Sequence, residues 1–243
     1  MTRGRAVVVL QALARSAALR PVRGVFNRVV GSRPRVVRVR SGVARGVRME
    51  LDLREEKAYW LGHYEPVVQA LIGEYVRPGM VAYDVGGHRG FFSLCAARRG
   101  AAVTVFEASG ENAARIRRTL ELNALPITLV EAAVWDSDAG VSIVPGASSS
   151  EFRVVEGGEL KTVTLDQVAG DGPLPGFIKI DVEGAELRVL AGARRVVGAG
   201  RPVIVCEAHS DAAVSQIGDL LPGYIVTSVG HPWRLLAVPA ERR

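Results

Sequence analysis

The residues best suited to chemistry are Tyr83-Asp84-Val85-Gly86-Gly87-His88-Arg89-Gly90. They follow an apolar run, Met80 to Val85, and open an apolar helical pattern through Phe91, Phe92, Leu94, Cys95 and Ala96. A strand, a tight glycine turn and a helix in that order make a turn that holds a nucleotide-like ligand. Glycines let the backbone approach the ligand, and the helix N-terminus offers free N–H groups. A second acid, Glu107, ends the next apolar run, Ala102 to Phe106. It stands about 20 residues past the glycines, where a carboxylate accepts ribose hydroxyls. A dinucleotide fingerprint requires G-x-G-x-x-G, but Val85 occupies the first glycine position and Asp84 precedes it. A carboxylate beside two phosphates repels them, so D-x-G-x-x-x-G fits a single nucleoside with a charged amino-acid end better than a pyrophosphate.

Two further stretches carry polar groups to one edge. In Phe177-Ile178-Lys179-Ile180-Asp181-Val182-Glu183-Gly184-Ala185-Glu186, the side chains of Lys179, Asp181 and Glu183 alternate and share one face of an extended strand. Asp181 falls at the strand's C-terminal end, beside the crevice where open α/β sheets bind ligands. Glu186 lies in the first turn of the helix that follows and complements its dipole. Val203-Ile204-Val205-Cys206-Glu207-Ala208-His209 is a buried-type strand with polar residues only at its end, so Glu207 and His209 project towards the same edge. Four such groups can hold a hydroxyl, relay its proton or bind a hard cation through oxygens. His63 and His231 read as loop residues. No Cys/His spacing points to zinc, and neither a G-x-S-x-G elbow nor a P-loop is present.

The elements that must position these residues alternate. From Met80 the pattern is strand–helix repeated, with strands at 80–85, 102–107, 127–131, 176–181, 202–207, 223–228 and 233–238 and helices at 90–99, 110–123, 184–198 and 212–220. Such alternation gives an α/β domain with a parallel sheet and helices on both faces. The last two strands are joined only by Val229 to Pro232, too short for a parallel crossover, so they pair antiparallel. Upstream, 6–20 favours a helix ended by Pro21, Val36 to Arg40 and Val47 to Leu53 form a β-hairpin, and Tyr64 to Val76 is a helix. Residues 137–165 interrupt the alternation. There Val141 to Val144 and Lys161 to Leu165 are short strands, and Ala147 to Ser150 is a polar loop between the third and fourth main strands.

Taken together, D-V-G-G-H-R-G, V-T-V-F-E, T-L-D-Q-V, I-K-I-D-V-E-G-A-E-L-R-V-L-A-G-A and R-P-V-I-V-C-E-A-H resemble the FkbM family of S-adenosylmethionine-dependent methyltransferases, over roughly residues 60–210. The glycine motif alone is shared by all class I methyltransferases; the I-K-I-D-V-E-G-A-E block with E-x-H ending the next strand is much more specific. The resemblance implies a Rossmann-like class I methyltransferase fold, seven strands with five parallel and a C-terminal antiparallel hairpin, and O-methylation of a bacterial secondary metabolite or glycan. It places Asp84, Gly86 and Gly90 at the methionine end of the cofactor, with Gly87 and Phe91 beside them, Glu107 at the ribose, and Ala133 and Val134 at the adenine. The family usually has Ala-Asn where this chain has Gly87-His88. Gly for Ala reads as harmless, whereas His88 changes a side chain next to cofactor or acceptor.

Methyl transfer to an alcohol needs alignment and a group to remove the proton. Asp181 and His209 are the candidates for base and relay, with Glu183 and Glu207 orienting them; Asp181 also faces the positive sulfonium. A divalent metal on these oxygens is permitted by the residue types but not predicted. Tyr59, Trp60, Tyr64 and Trp135 offer aromatic surface for a small-molecule acceptor.

The 243 residues suffice for one large domain, 59–243, preceded by a basic extension, 1–58. Residues 1–49 hold 12 arginines and no acid, although the chain as a whole has a net charge of only +6. With 28 of 31 basic residues being arginine, much of this is genomic composition, and no nucleic-acid partner is expected. Two cysteines in predicted element interiors indicate buried thiols and a cytoplasmic, reducing setting. No apolar run reaches the length of a membrane span. The apolar face of 6–20 suits a homodimer contact. Three alternatives stay open: an N-methyltransferase, a nucleic-acid or acidic-partner module built on the arginine-rich segment, and a nicotinamide dehydrogenase, against which Val85 argues.

Overall fold

A computed structural model describes residues 33–145 and 152–242. The expected helix at 6–20 and polar loop at 147–150 lie outside the described residues. The antiparallel hairpin β1 (Arg35–Arg38) and β2 (Arg48–Leu51) comes first. Met49 and Leu51 alternate with Glu50, so one face of β2 is buried while Glu50 reaches Arg118 at 2.9 Å. Helix α1 (Lys57–Leu61) follows, too short to show an apolar period in the sequence. Helix α2 (Pro66–Tyr75) has a proline in its first turn, where the missing N–H costs nothing.

The main sheet begins with β3 (Val81–Val85), α3 (Phe91–Arg98), β4 (Ala102–Phe106), α4 (Gly110–Glu121) and β5 (Ile127–Val130). Next come β6 (Ala133–Val134), the hairpin β7 (Val141–Pro145) and β8 (Phe152–Glu156), and β9 (Thr162–Val163), which pairs parallel with β6. The expected strand at 161–165 is β9, shortened at its C-terminal end, where Thr164 and Gln167 form a capping box that opens helix α5 (Leu165–Ala169). The sheet resumes with β10 (Phe177–Asp181), α6 (Glu186–Ala191), β11 (Val203–Glu207), α7 (Asp211–Ile217), β12 (Tyr224–Val229) and β13 (His231–Pro239).

Seven strands hydrogen-bond in the order β12-β13-β11-β10-β3-β4-β5, five of them parallel, and β13 runs antiparallel to both β11 and β12. This is the class I methyltransferase arrangement. The chain moves outward from β3 to β5, then returns to lay β10 against the other side of β3. The order therefore reverses between β3 and β10, and the crevice beyond their C-terminal ends is where such a sheet binds ligands.

Alternation along each strand divides the core between the two faces. Ala82, Val103, Phe177 and Val205 pack with Leu71, Ile72, Leu94 and the hairpin's Met49 and Leu51. Tyr83, Val85, Ile178, Ile204 and Cys206 pack with Val189, Leu190 and Ile217. Cys95 and Cys206 are free and buried, and burial pushes both thiols up.

One helix departs from expectation. The span 184–198 is not continuous: α6 stops at Ala191, and a π-helical turn covers Val196–Gly200. A Cβ on Gly192 would overlap the Trp135 carbonyl, so the chain passes closely there. The Asp166 carboxylate then accepts from the Arg195 and Val196 N–H groups at 2.9 and 2.8 Å, opening a second helical segment.

Candidate active site

The glycine turn is built by close backbone approach. Gly86 has φ +81°, and a Cβ there would overlap the Asp181 carbonyl, so glycine is required on both counts. The Gly86 and Gly87 N–H groups donate to Phe106 O at 3.0 and 2.9 Å, tying the turn to the end of β4. The expectation that Gly87 for Ala is harmless needs correction: a Cβ at Gly87 would overlap the Val105 side chain, which with Ile116 fills that space. His88 also has positive φ, +50°, a conformation that Asn tolerates best among residues with side chains.

Glu107 fixes the turn from the other side. Its two oxygens accept from His88 N at 2.7 Å and Ser109 N at 2.8 Å. Burial pushes its carboxyl up, while the backbone donors from Ser109 and His88 pull it back. The Asn112 side chain donates to the same carboxylate and also lowers it.

Lys179 is the buried link beneath the turn. Its Nζ lies 2.9 Å from Gly86 O, 3.2 Å from Asp181 Oδ2 and 3.5 Å from Asp84 Oδ1, and 5.1 Å from the centre of the Phe92 ring. Burial lowers the Lys179 pKa, but the carboxylates of Asp181 and Asp84 outweigh it and the net shift is upward. Burial likewise raises Asp181, but Lys179 and His209 outweigh it and hold the carboxyl below its usual range. Asp84 Oδ2 accepts from Ser93 N at 3.0 Å and Ser93 Oγ at 2.6 Å; Oδ1 is buried with no hydrogen bond. Among the described residues, the Lys179 cation compensates that oxygen, at ion-pair distance. Asp84 thus braces the turn from below.

Above the turn lies a cavity of about 1200 Å³. Among the residues singled out in the sequence, Gly86, Gly87, Phe91, Glu107, Ala133, Val134, Asp181, Glu183, Tyr59, Tyr64 and Trp135 line it. Asp84, Gly90, Trp60, Glu207 and His209 do not. Gly90 caps α3 with φ +72°. Trp60 packs under the Arg40 guanidinium, 5.8 Å from the ring centre. Glu207 turns to Arg234 at 2.9 Å, and Arg234 also holds Glu65 at 2.6 Å, so Glu207 is occupied by a cation away from the cavity.

His209 sits behind the cavity wall. Its Nδ1 is 2.6 Å from Glu186 Oε1, and its Nε2 is 3.7 Å from Asp181 Oδ1 and 3.6 Å from Glu183 Oε2. The hydrogen bond to Glu186 raises its pKa to about 9 against the opposing effect of burial, with Glu183, Glu186 and Asp181 adding to the rise. That rise favours the charged ring at neutral pH, the form that neutralises these carboxylates and is the weaker base. Of the expected base-and-relay pair, Asp181 lines the cavity, while His209 lies outside its lining in contact with Glu186.

Several contributors were not assigned their roles from the sequence. Glu56, buried, accepts from Arg89 Nε at 2.6 Å, Arg115 at 3.0 Å and Asp52 N at 2.8 Å, and Arg89 also reaches Asn112 at 2.8 Å. These bonds pin the glycine turn to the segment before α1 and to α4. No local signal marks Glu56. Lys179 was visible as a strand residue sharing a face with Asp181, and Glu186 as an acid in the first turn of a helix. Among the described residues, no group of three His, Cys, Asp or Glu is disposed to hold a metal ion, and no helix is long and apolar enough to cross a membrane.

Comparison with known proteins bears on this arrangement. The family model "Methyltransferase FkbM domain" matches residues 84–225, more than half of the chain. A search of curated proteins returns no match. Similar solved structures include the methyltransferase FkbM from Methylobacillus flagellatus, 19% identical, covering 71% of this chain and 53% of that one, TM-score 0.48. The precorrin-6y C5,15-methyltransferase from Geobacter metallireducens is 17% identical, covering 71% and 88%, TM-score 0.48. The tRNA (uracil-54, C5)-methyltransferase from Pyrococcus abyssi, solved with S-adenosyl-L-homocysteine, is 16% identical, covering 85% and 44%, TM-score 0.49. The chain spans about half the length of the Methylobacillus protein. With its glycine turn, its I-K-I-D-V-E-G block and its sheet order all within or overlapping the matched span, the chain belongs to the FkbM family of S-adenosylmethionine-dependent methyltransferases.

Proposed function

We propose that this protein methylates a hydroxyl of a small molecule, a bacterial secondary metabolite or glycan, using S-adenosylmethionine. The observation that carries the reading is the convergence of the Gly86–Gly90 turn, Glu107 and Asp181 on one cavity of about 1200 Å³ at the reversal point of the sheet. That volume exceeds the ~300–1,000 Å³ typical of a site for one small ligand, leaving space for a cofactor and an acceptor together.

The residues fit the cofactor. Gly86, where a Cβ would overlap the Asp181 carbonyl, gives a turn open to close approach. Glu107 is oriented by two backbone donors to receive ribose hydroxyls. Ala133 and Val134 supply an apolar wall for an adenine. Asp84, Asp181, Glu183 and Glu186 outnumber Lys179 and His209, so the local charge is negative and favours a sulfonium cation. When bound, S-adenosylmethionine supplies a methyl group already activated for displacement. The chain's part is to align the acceptor and remove its proton. Tyr59, Tyr64 and Trp135 present aromatic surface to that acceptor. The buried thiols of Cys95 and Cys206 support work in the cytoplasm.

The test has two stages. S-Adenosylhomocysteine should bind in calorimetry and raise the melting temperature, whereas NAD should do neither. Mass spectrometry of the producing cells with and without the protein should then show one metabolite differing by one methyl on oxygen. Binding of NAD without S-adenosylhomocysteine would overturn the methyltransferase reading, and a methylated nitrogen would overturn the choice of acceptor.

A further inference from the structure

We propose that His88 takes the proton from the acceptor hydroxyl, its ring held by Tyr59 and Tyr64 in the tautomer that leaves Nε2 free; this rests on the methyltransferase reading above. His88 is exposed in the cavity wall at the tip of the glycine turn. Its backbone N–H donates to Glu107 at 2.7 Å, which fixes its place in the turn. Its Nδ1 lies 3.2 Å from the Tyr59 hydroxyl. Tyr59 stacks on Tyr64 with ring centres 4.1 Å apart, and the two hydroxyls are hydrogen-bonded.

The assigned tautomer is the one in which the Tyr59 hydroxyl spends its single proton on Tyr64 and offers a lone pair to His88. Nδ1 then donates across the 3.2 Å contact, and Nε2 carries the imidazole lone pair. The environment also keeps the ring neutral. Desolvation against the cavity wall lowers its pKa from 6.5, and the cations Arg89 and Lys179 lower it further against the carboxylates of Glu56 and Asp181. Tyr59 and Tyr64 are both pushed up by burial and stay protonated. His209, raised to about 9, is the opposite case.

The step balances. The acceptor oxygen forms a bond to the methyl carbon, and the carbon–sulfur bond breaks with its electron pair remaining on sulfur, which becomes a neutral thioether. The acceptor's proton passes to Nε2, giving an imidazolium that later releases it to water.

Asn adopts the left-handed backbone of this position but has no basic nitrogen, so His88→Asn separates folding from chemistry. Long-range ¹H–¹⁵N correlation spectra of the imidazoles in the full chain should show His88 neutral at pH 7 with its hydrogen on Nδ1, and Tyr59→Phe should lose that fixed tautomer. His88→Asn should bind S-adenosylhomocysteine within a few-fold of wild type. With labelled S-adenosylmethionine and a metabolite extract of cells lacking the protein, its methyl transfer should fall by about 100-fold or more and lose the rise with pH below neutrality. A hydrogen on Nε2, an imidazolium at pH 7, or full transfer by His88→Asn would each overturn the assignment. So would a defect confined to S-adenosylhomocysteine affinity, which makes His88 a cofactor contact. If wild type fails to bind S-adenosylhomocysteine, the methyltransferase reading falls and takes this inference with it; the spectra and the variant's own binding tell the two failures apart.

Discussion

Replacing His209 with Gln should flatten the alkaline half of the stability curve. Glu186 is only 1% exposed, and its Oε1 accepts from Gly184 N at 3.1 Å as well as from His209 at 2.6 Å. That hydrogen bond, with Glu183, Glu186 and Asp181, raises His209 from 6.5 to about 9. Because the folded value lies above the unfolded one, the folded state binds the proton more tightly. The stabilisation is fully present below about pH 6.5 and disappears as pH rises through about 9. At about 1.4 kcal/mol per pH decade the full shift corresponds to roughly 3 kcal/mol. The ring is a quarter exposed, and solvent screening brings the expected contribution to about 1–2 kcal/mol.

The assay is urea denaturation of wild type and His209→Gln at intervals from pH 6 to pH 9.5. Gln keeps an N–H donor for Glu186 but cannot carry charge. The buried thiols and tyrosines also titrate on unfolding at high pH, but they are common to both chains, so the difference between the curves isolates His209. Wild type should lose about 1–2 kcal/mol more than the variant across this window. Parallel curves would show that His209 is not held as a cation, and would reopen its assignment as a base.

Three other perturbations probe the turn and its supports. Glu107→Gln should weaken S-adenosylhomocysteine by about 1.5–3 kcal/mol in calorimetry and also lower the unfolding midpoint, because Gln offers one oxygen to the two backbone donors of His88 and Ser109; unchanged affinity would remove the ribose assignment. Gly86→Ala should cost about 1–3 kcal/mol in backbone strain alone, before the overlap with Asp181 is counted, and should abolish S-adenosylhomocysteine binding; a melting temperature equal to wild type would contradict the close approach of β3 and β10. Lys179→Met leaves Asp84 and Asp181 without their shared cation and should destabilise by about 3–5 kcal/mol in urea; a variant as stable as wild type would mean the three-way contact contributes nothing.

The fold was legible because its signals are local. The strand–turn–helix of 80–99, the strand–helix alternation and the short link before β13 each occupy a few adjacent residues, and each dictates its own geometry. Where the reading failed, a distant contact had intervened. The span 184–198 has helical composition throughout, but the Trp135 carbonyl presses on Gly192 and the Asp166 carboxylate starts a new segment. At 161–165 the expected strand forms but stops at Val163, and there the cause is local: the Thr164–Gln167 capping box starts a helix.

The site divides along the same line. Gly86, Gly87, Glu107 and Asp181 were found because a ligand-binding turn and two strand ends have recognisable spacing. Lys179 could be placed on the face of Asp181 by alternation, but its bond to Gly86 O joins residues 93 positions apart and depends on β10 lying beside β3. The same register sets Asp84 opposite Lys179, which draws the acid under the turn and away from the cavity. His209 and Glu186 read separately as a strand-end histidine and a helix-dipole acid. Their 2.6 Å contact raises the histidine's pKa and favours its charged form. His88 gains in the same way from Tyr59, contributed by a helix too short to be seen in the sequence. Residue type and spacing thus located many of the groups that line the cavity, while the partners that tune their protonation are brought together only by the packed sheet.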